Sequence, residues 1–107
     1  MKTITNINAF EQAKNLQGSL FYFSHEQCNV CKVLKPKIAE LIKKEFPKIK
    51  LFYIDTRKTP EIPAQNSIFT VPVILIFLDS KEFYRKARNI GINELQEAIS
   101  KPYNILF

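Results

Sequence analysis

The chain is poor in side chains that bind metals or carry sulfur. It has two cysteines, Cys28 and Cys31, and one histidine, His25, in 107 residues. Structural zinc normally takes four ligands, and these three would need a carboxylate such as Glu26 or a second chain, so no metal is expected. Long apolar runs are also missing. The first twenty residues hold no uninterrupted one, so neither a signal peptide nor a membrane span is expected there. The most hydrophobic segment, Val73 to Leu78, is far shorter than the roughly 20 residues a bilayer requires. The cytosol is the expected location, with no membrane partner. Without linker or repeat, residues 1–107 read as one domain.

Acidic residues are outnumbered. The net charge is +6, and nine basic residues face three acidic ones between Lys32 and Lys58. Helical spacing puts most of those lysines toward solvent, and no nucleic-acid motif accompanies them, so nucleic acid is not an expected partner. Apolar residues are plentiful: 46% of the chain, with nine Phe and four Tyr. That content supports a packed core and excludes disorder.

The organising stretch is Cys28-Asn29-Val30-Cys31. Leu20 to Phe23 reads as a buried strand running into it. Beyond it, Asn29 to Phe46 reads as a helix with Val30, Val33, Leu34, Ile38, Leu41, Ile42 and Phe46 on one face. Two intervening residues bring both sulfurs within disulfide distance across one helical turn. Cys28 at the helix N-terminus would have its thiolate favoured by free N–H groups and the helix dipole. Cys31, one turn in and more buried, would close the disulfide behind it. Lys32 and Lys35 either lower the Cys28 pKa or are ordinary exposed lysines. His25 has three readings: a cation that favours the thiolate, a metal ligand, or a loop histidine without a role.

The other segments follow in order. Lys2 to Thr5 reads as an edge strand. Asn8, with Glu11 three residues on, reads as the cap of a helix carrying Ala9, Phe10, Ala13 and Leu16, which Gly18 ends. Pro36 is expected to kink the cysteine helix. Lys48 to Asp55 reads as a strand parallel to the one before the cysteines. Arg57 to Ser67 reads as a loop with a short helix. Pro72 opens a strand from Val73 to Leu78, and a turn at Asp79 to Glu82 leads into an antiparallel partner, Phe83 to Ala87. Asn93 reads as the cap of a last helix that Pro102 stops, leaving an apolar tail. The expected fold class is α/β, a central mixed β-sheet flanked by helices on both faces.

In this order the features resemble the thioredoxin superfamily over nearly the whole chain. They are an aromatic strand, C-x-x-C, Lys32 directly after it, Pro36, a strand ending in Asp55, and Val71-Pro72 opening a hydrophobic strand. The resemblance implies a thioredoxin-like fold, with Pro72 as a cis-proline that guides an extended substrate past the cysteines. Phe69, Thr70 and Val71, just before Pro72, read as a substrate-facing edge, with a buried place as the other reading of Phe69. The chain also departs from the family. Gln27 stands where thioredoxin has Trp, and Asn29-Val30 replaces Gly-Pro. Tyr22 and Leu51 occupy the places of its buried Asp and Lys.

The resemblance implies a thiol–disulfide oxidoreductase acting on disulfides of proteins or small thiols, monomeric, and reset by an external reductase or thiol. Its only redox group would be the Cys28–Cys31 pair, with no separate cofactor. The alternative is a thioredoxin-fold module that binds a partner and turns over little.

Overall fold

The two most apolar stretches of the chain become neighbouring strands buried on both faces. The computed structural model describes residues 1–107, with elements β1 (Lys2–Thr3), α1 (Ile7–Lys14), β2 (Gly18–Ser24), α2 (Asn29–Glu45), β3 (Lys50–Asp55), α3 (Glu61–Gln65), β4 (Val73–Leu78), β5 (Lys81–Ala87) and α4 (Ile92–Leu106). One sheet in the order β1-β3-β2-β4-β5 holds all five strands. β3 lies parallel to both β1 and β2, while β4 is antiparallel to β2 and β5. This is the mixed sheet the sequence implied.

Strand alternation divides the core into two layers. Leu20, Tyr22, Ile74 and Ile76 face α2 and α4, where they meet Leu34, Ile38, Ile42, Leu95 and Ile99. Phe21, Phe23, Leu75 and Phe77 face the other way, against Phe10 and Ala13 of α1 and Ile62 of α3. Every residue of β2 and β4 is buried. With both sheet faces covered, no polar alternation is needed, and the strands read as continuous apolar runs.

Several local expectations are corrected. The buried stripe of α2 runs through Cys31, Leu34, Ile38, Leu41 and Ile42. Val30 and Val33 each precede a stripe residue by one position, about 100° around the helix, and remain 65% and 60% exposed. Asn6, not Asn8, caps α1, its side-chain oxygen accepting the Ala9 N–H at 2.8 Å. That helix ends at Lys14, and Leu16 beyond it is exposed. Gly18 is instead the first residue of β2, where a Cβ would lie only 3.1 Å from Phe107 Cζ. The strand expected from Lys48 begins at Lys50.

Gly91, not Asn93, precedes α4, and the helix continues through Pro102 to Leu106. Proline removes one helical donor, and packing holds the last turns in place. Tyr103 is buried with its ring 5.0 Å from Phe46 and 4.7 Å from Phe107, and its hydroxyl accepts the Lys48 N–H. At the tip of β4–β5, Asp79 and Ser80 both adopt positive φ, as a two-residue hairpin turn requires. The partner strand therefore starts at Lys81, two residues earlier than expected.

Candidate active site

Past Ser24 the backbone turns through His25 to Cys28, closed by the Cys28 N–H donating to the His25 carbonyl at 3.2 Å. The Gln27 N–H donates to His25 Nδ1, also at 3.2 Å. Cys28 has extended backbone angles and is the N-cap of α2. Its Sγ accepts the Cys31 N–H at 3.2 Å, and its carbonyl accepts the Lys32 N–H. Sulfur here takes the place that a Ser or Asp oxygen usually fills at a helix start. The two cysteines are disulfide-bonded with Cα atoms 5.2 Å apart. Cys31 is buried at 1% exposure, whereas Cys28 is half-buried at the edge of the same core layer.

Beneath this turn the sheet presents hydroxyl groups. Tyr22 is wholly buried, and its hydroxyl donates to the Cys31 carbonyl at 2.8 Å. Burial, and secondarily the neighbouring Tyr53, pushes its phenol above the usual tyrosine range. Tyr53 is the β3 register partner of Tyr22 and lies within 3.3 Å of Ser24 Oγ. Lys35 places its ammonium 4.1 Å from the centre of the Tyr53 ring, a cation–π contact. Leu51 packs against the α2/α4 core layer. The positions where the family carries its buried Asp and Lys thus hold an uncharged phenol and a leucine.

The loop after β3 grips the turn before the cysteines. The buried Asp55 accepts the N–H groups of Arg57 and Lys58 at 2.9 and 3.1 Å. Lys58 pairs with Glu26 at 3.0 Å, and Arg57 hydrogen-bonds Gln27. The hydrogen bond that Lys58 donates to Glu26, then the Glu26 charge, raises the pKa of Lys58.

The Val71–Pro72 bond is cis. Pro72 is buried, and Val71 lies against the same core layer as Cys28. His25, Thr70 and Val71 line one cleft of about 270 Å³, bordered by Phe69, which is 87% exposed. The structure therefore gathers both cysteines, His25, Thr70, Val71 and Pro72 at one end of the sheet. Lys32 is exposed and joins none of the chain's ion pairs. No three His, Cys, Asp or Glu side chains are grouped to hold a metal ion, and no helix is long and apolar enough to cross a membrane.

Sequence reasoning missed Tyr53 and Arg88. Strand parity carried the signal for Tyr53, since a parallel register puts it on the face of Tyr22. Arg88 carried none. Its N–H donates to the Pro72 carbonyl at 2.8 Å and its Nε to Thr70 Oγ1 at 3.3 Å.

Known proteins resemble this chain in sequence and fold. The pattern that defines the thioredoxin family matches residues 2–101. A thioredoxin-like protein of Bacillus subtilis, YdfQ, is 31% identical over 109 residues, spanning 98% of this chain and 96% of the relative. Thioredoxin 1 of Thermosipho africanus superposes with a TM-score of 0.74 at 36% identity, covering 81% of this chain and 96% of that one. Oxidised mitochondrial thioredoxin 3 of Saccharomyces cerevisiae, at 20% identity, shares the fold with a TM-score of 0.81 over 92% of each chain. With its cysteine pair at disulfide distance, the chain belongs to the thioredoxin family and is a thiol–disulfide oxidoreductase.

Proposed function

We propose that the protein works in the cytosol as a monomer, reducing or exchanging disulfides of proteins and small thiols, with Cys28 as nucleophile and Cys31 as resolving thiol. In the reduced form the Cys28 thiolate attacks one sulfur of a substrate disulfide. The other substrate sulfur leaves as a thiolate and takes a proton. Cys31, once deprotonated, attacks Cys28 Sγ in the mixed disulfide and expels the second substrate thiol. Two electrons pass to the substrate, and the Cys28–Cys31 disulfide remains. An external reductase or a low-molecular-weight thiol supplies two electrons to reset it.

The observation that supports this order is the cap. Cys28 Sγ accepts the Cys31 N–H at the start of α2, where a sulfur anion gains a charge-assisted hydrogen bond and the positive end of the helix. Cys31 is 1% exposed and is reached only after the first exchange. In this reading Val71 and Pro72 hold the substrate backbone, Thr70 borders it, and Lys32 adds positive potential, while His25, whose Nδ1 accepts the Gln27 N–H, lines the cleft beside them. No further cofactor enters the reaction.

The uncharged Tyr22 and Leu51 favour the alternative, a binding module with little turnover. Reduction of insulin disulfides by a chemical reductant separates the two. The enzyme reading expects wild type to be far faster than Cys28→Ser, and equal rates would transfer the assignment to the binding module.

A further inference from the structure

We propose that Arg88 and Lys37 select the polypeptides this dithiol acts on, favouring segments that carry a carboxylate beside an apolar side chain; the proposal rests on the thiol–disulfide reading above. A groove of about 500 Å³ lies between the start of α2 and the segment joining β5 to α4. Val30, Val33, Leu34 and Ile90 give it an apolar floor, with Lys37 and Arg88 as its charged members. The exposure of Val30 and Val33, 65% and 60%, is the consequence of their place beside the buried stripe of α2. Val30 lies between the two cysteines, so whatever fills the groove also touches the residues around the reactive sulfur.

Arg88 is anchored as a fixed part of this surface. Its φ is 66°, in the left-handed region that disfavours a side chain with a Cβ. The backbone is held there by the bond from its N–H to the Pro72 carbonyl, and the side chain by the bond from Nε to Thr70 Oγ1. Strain retained at a site calls for a reason. Here it positions a guanidinium between the cis-proline and the apolar floor, with its terminal N–H groups free of any carboxylate. Neither Arg88 nor Lys37 forms an ion pair, and no acidic residue lines the groove. Two unpaired cations flanking an apolar floor complement an acidic residue next to an apolar one. A free inorganic anion would leave the floor unfilled.

The test uses two disulfide-linked peptides of equal length that differ only in Glu or Lys beside a Leu near the cysteine. Wild type, Arg88→Gly and Arg88→Gly/Lys37→Ala are compared. Glycine suits the left-handed backbone, so the fold is retained. The readout is the ratio of kcat/KM for the two peptides within each protein, which cancels changes in intrinsic rate. Wild type should favour the Glu peptide by about tenfold at low salt, the sum of two partly exposed charge pairs. The ratio should fall toward one in the double variant and with added salt.

Binding of cysteine-free versions of both peptides to the oxidised protein, followed by fluorescence anisotropy, tests the surface without turnover. Wild-type reduction of a small neutral disulfide reports the dithiol chemistry alone. Loss of that reduction with the binding preference retained would overturn the enzymatic reading and keep the surface. A ratio near one in wild type, or one unchanged in the double variant, overturns the selection. So does stronger competition by a single-stranded oligonucleotide than by the Glu peptide.

Discussion

The hydroxyl of Tyr22 donates a 2.8 Å hydrogen bond to the carbonyl of Cys31, directly beneath the disulfide. In thioredoxin proper a carboxylate stands at this place in the strand. A phenol that donates to backbone anchors the first turn of α2, but it accepts no proton at neutral pH. The substitution exchanges a base for a strut, and two consequences follow, one for stability and one for the second chemical step.

The stability consequence depends on pH. An unfolded tyrosine ionises near pH 10, and burial raises Tyr22 above that in the fold. The folded chain thus keeps a proton that the unfolded chain releases. Tyr22 adds its full stabilisation below about pH 10, and that is lost as pH rises, by up to about 1.4 kcal/mol per pH unit. Tyr22→Phe should remove this slope and lower stability at neutral pH by about 1 kcal/mol, the worth of the lost hydrogen bond. Urea unfolding of the oxidised proteins at about pH 8 and about pH 11 checks both. Tyr84, raised by its own burial and by Glu94, contributes equally to both proteins and cancels. Equal slopes would show that Tyr22 is not the group responsible.

A second expectation concerns the nucleophile. With Cys31 replaced by Ser, the Cys28 sulfur keeps its place at the N-cap and the N–H of residue 31. Its pKa should fall clearly below the free-thiol value of about 8.5. Thiolate absorbance titration of Cys31→Ser measures it. A value at or above that of free cysteine removes the basis for calling Cys28 the attacking group.

Asp55 offers a third test, away from the sulfurs. One of its carboxylate oxygens holds the N–H groups of Arg57 and Lys58, whose side chains reach Gln27 and Glu26. Asp55→Ala leaves both donors without that partner and should cost about 1–3 kcal/mol. Asp55→Asn keeps an acceptor oxygen and should lose much less. Amide exchange at Arg57 and Lys58 should accelerate in the alanine variant alone. Equal exchange in the two variants would mean that the carboxylate does not hold this loop.

Much of this was readable from the chain, and the parts that were not share a cause. Strands β2 and β4 announced themselves because burial on both faces demands unbroken apolar runs. The cysteine spacing and the Val71-Pro72 pair were visible because each is contiguous in sequence. Helix ends were read poorly: Asn8 for Asn6, Asn93 for Gly91, and a stop at Pro102 that Tyr103 packing overrides. Val30 and Val33 were assigned to the core because their spacing fits a helical face, and only the phase of the stripe shows them outside. Arg88 could not be anticipated, since its importance comes from partners 16 and 18 residues away, Pro72 and Thr70.

The last prediction joins Tyr22 to the chemistry. After Cys28 has formed a mixed disulfide, Cys31 must lose its proton in a buried place, with Tyr22 donating to its backbone and no carboxylate at that position in the strand. Desolvation disfavours the thiolate there. Resolution should therefore be the slow step and should accelerate as pH rises toward the thiol range. Cys31→Ser should trap a covalent mixed disulfide with a substrate protein, and Cys28→Ser should trap none. Tyr22→Asp puts a base back at that position and should speed release from the mixed disulfide, measured by rapid-quench gel analysis of a single turnover. The same change removes the hydrogen bond to Cys31, leaves a cavity where the buried ring stood and buries a carboxylate among apolar side chains, so a loss of stability of at least about 3–5 kcal/mol should accompany it. Tyr22→Asn, similar in size and uncharged, separates the effects: it should lose stability in the same way without gaining rate. If Asp and Asn accelerate resolution equally, the gain comes from loosening the turn, and the missing base is not what limits this protein.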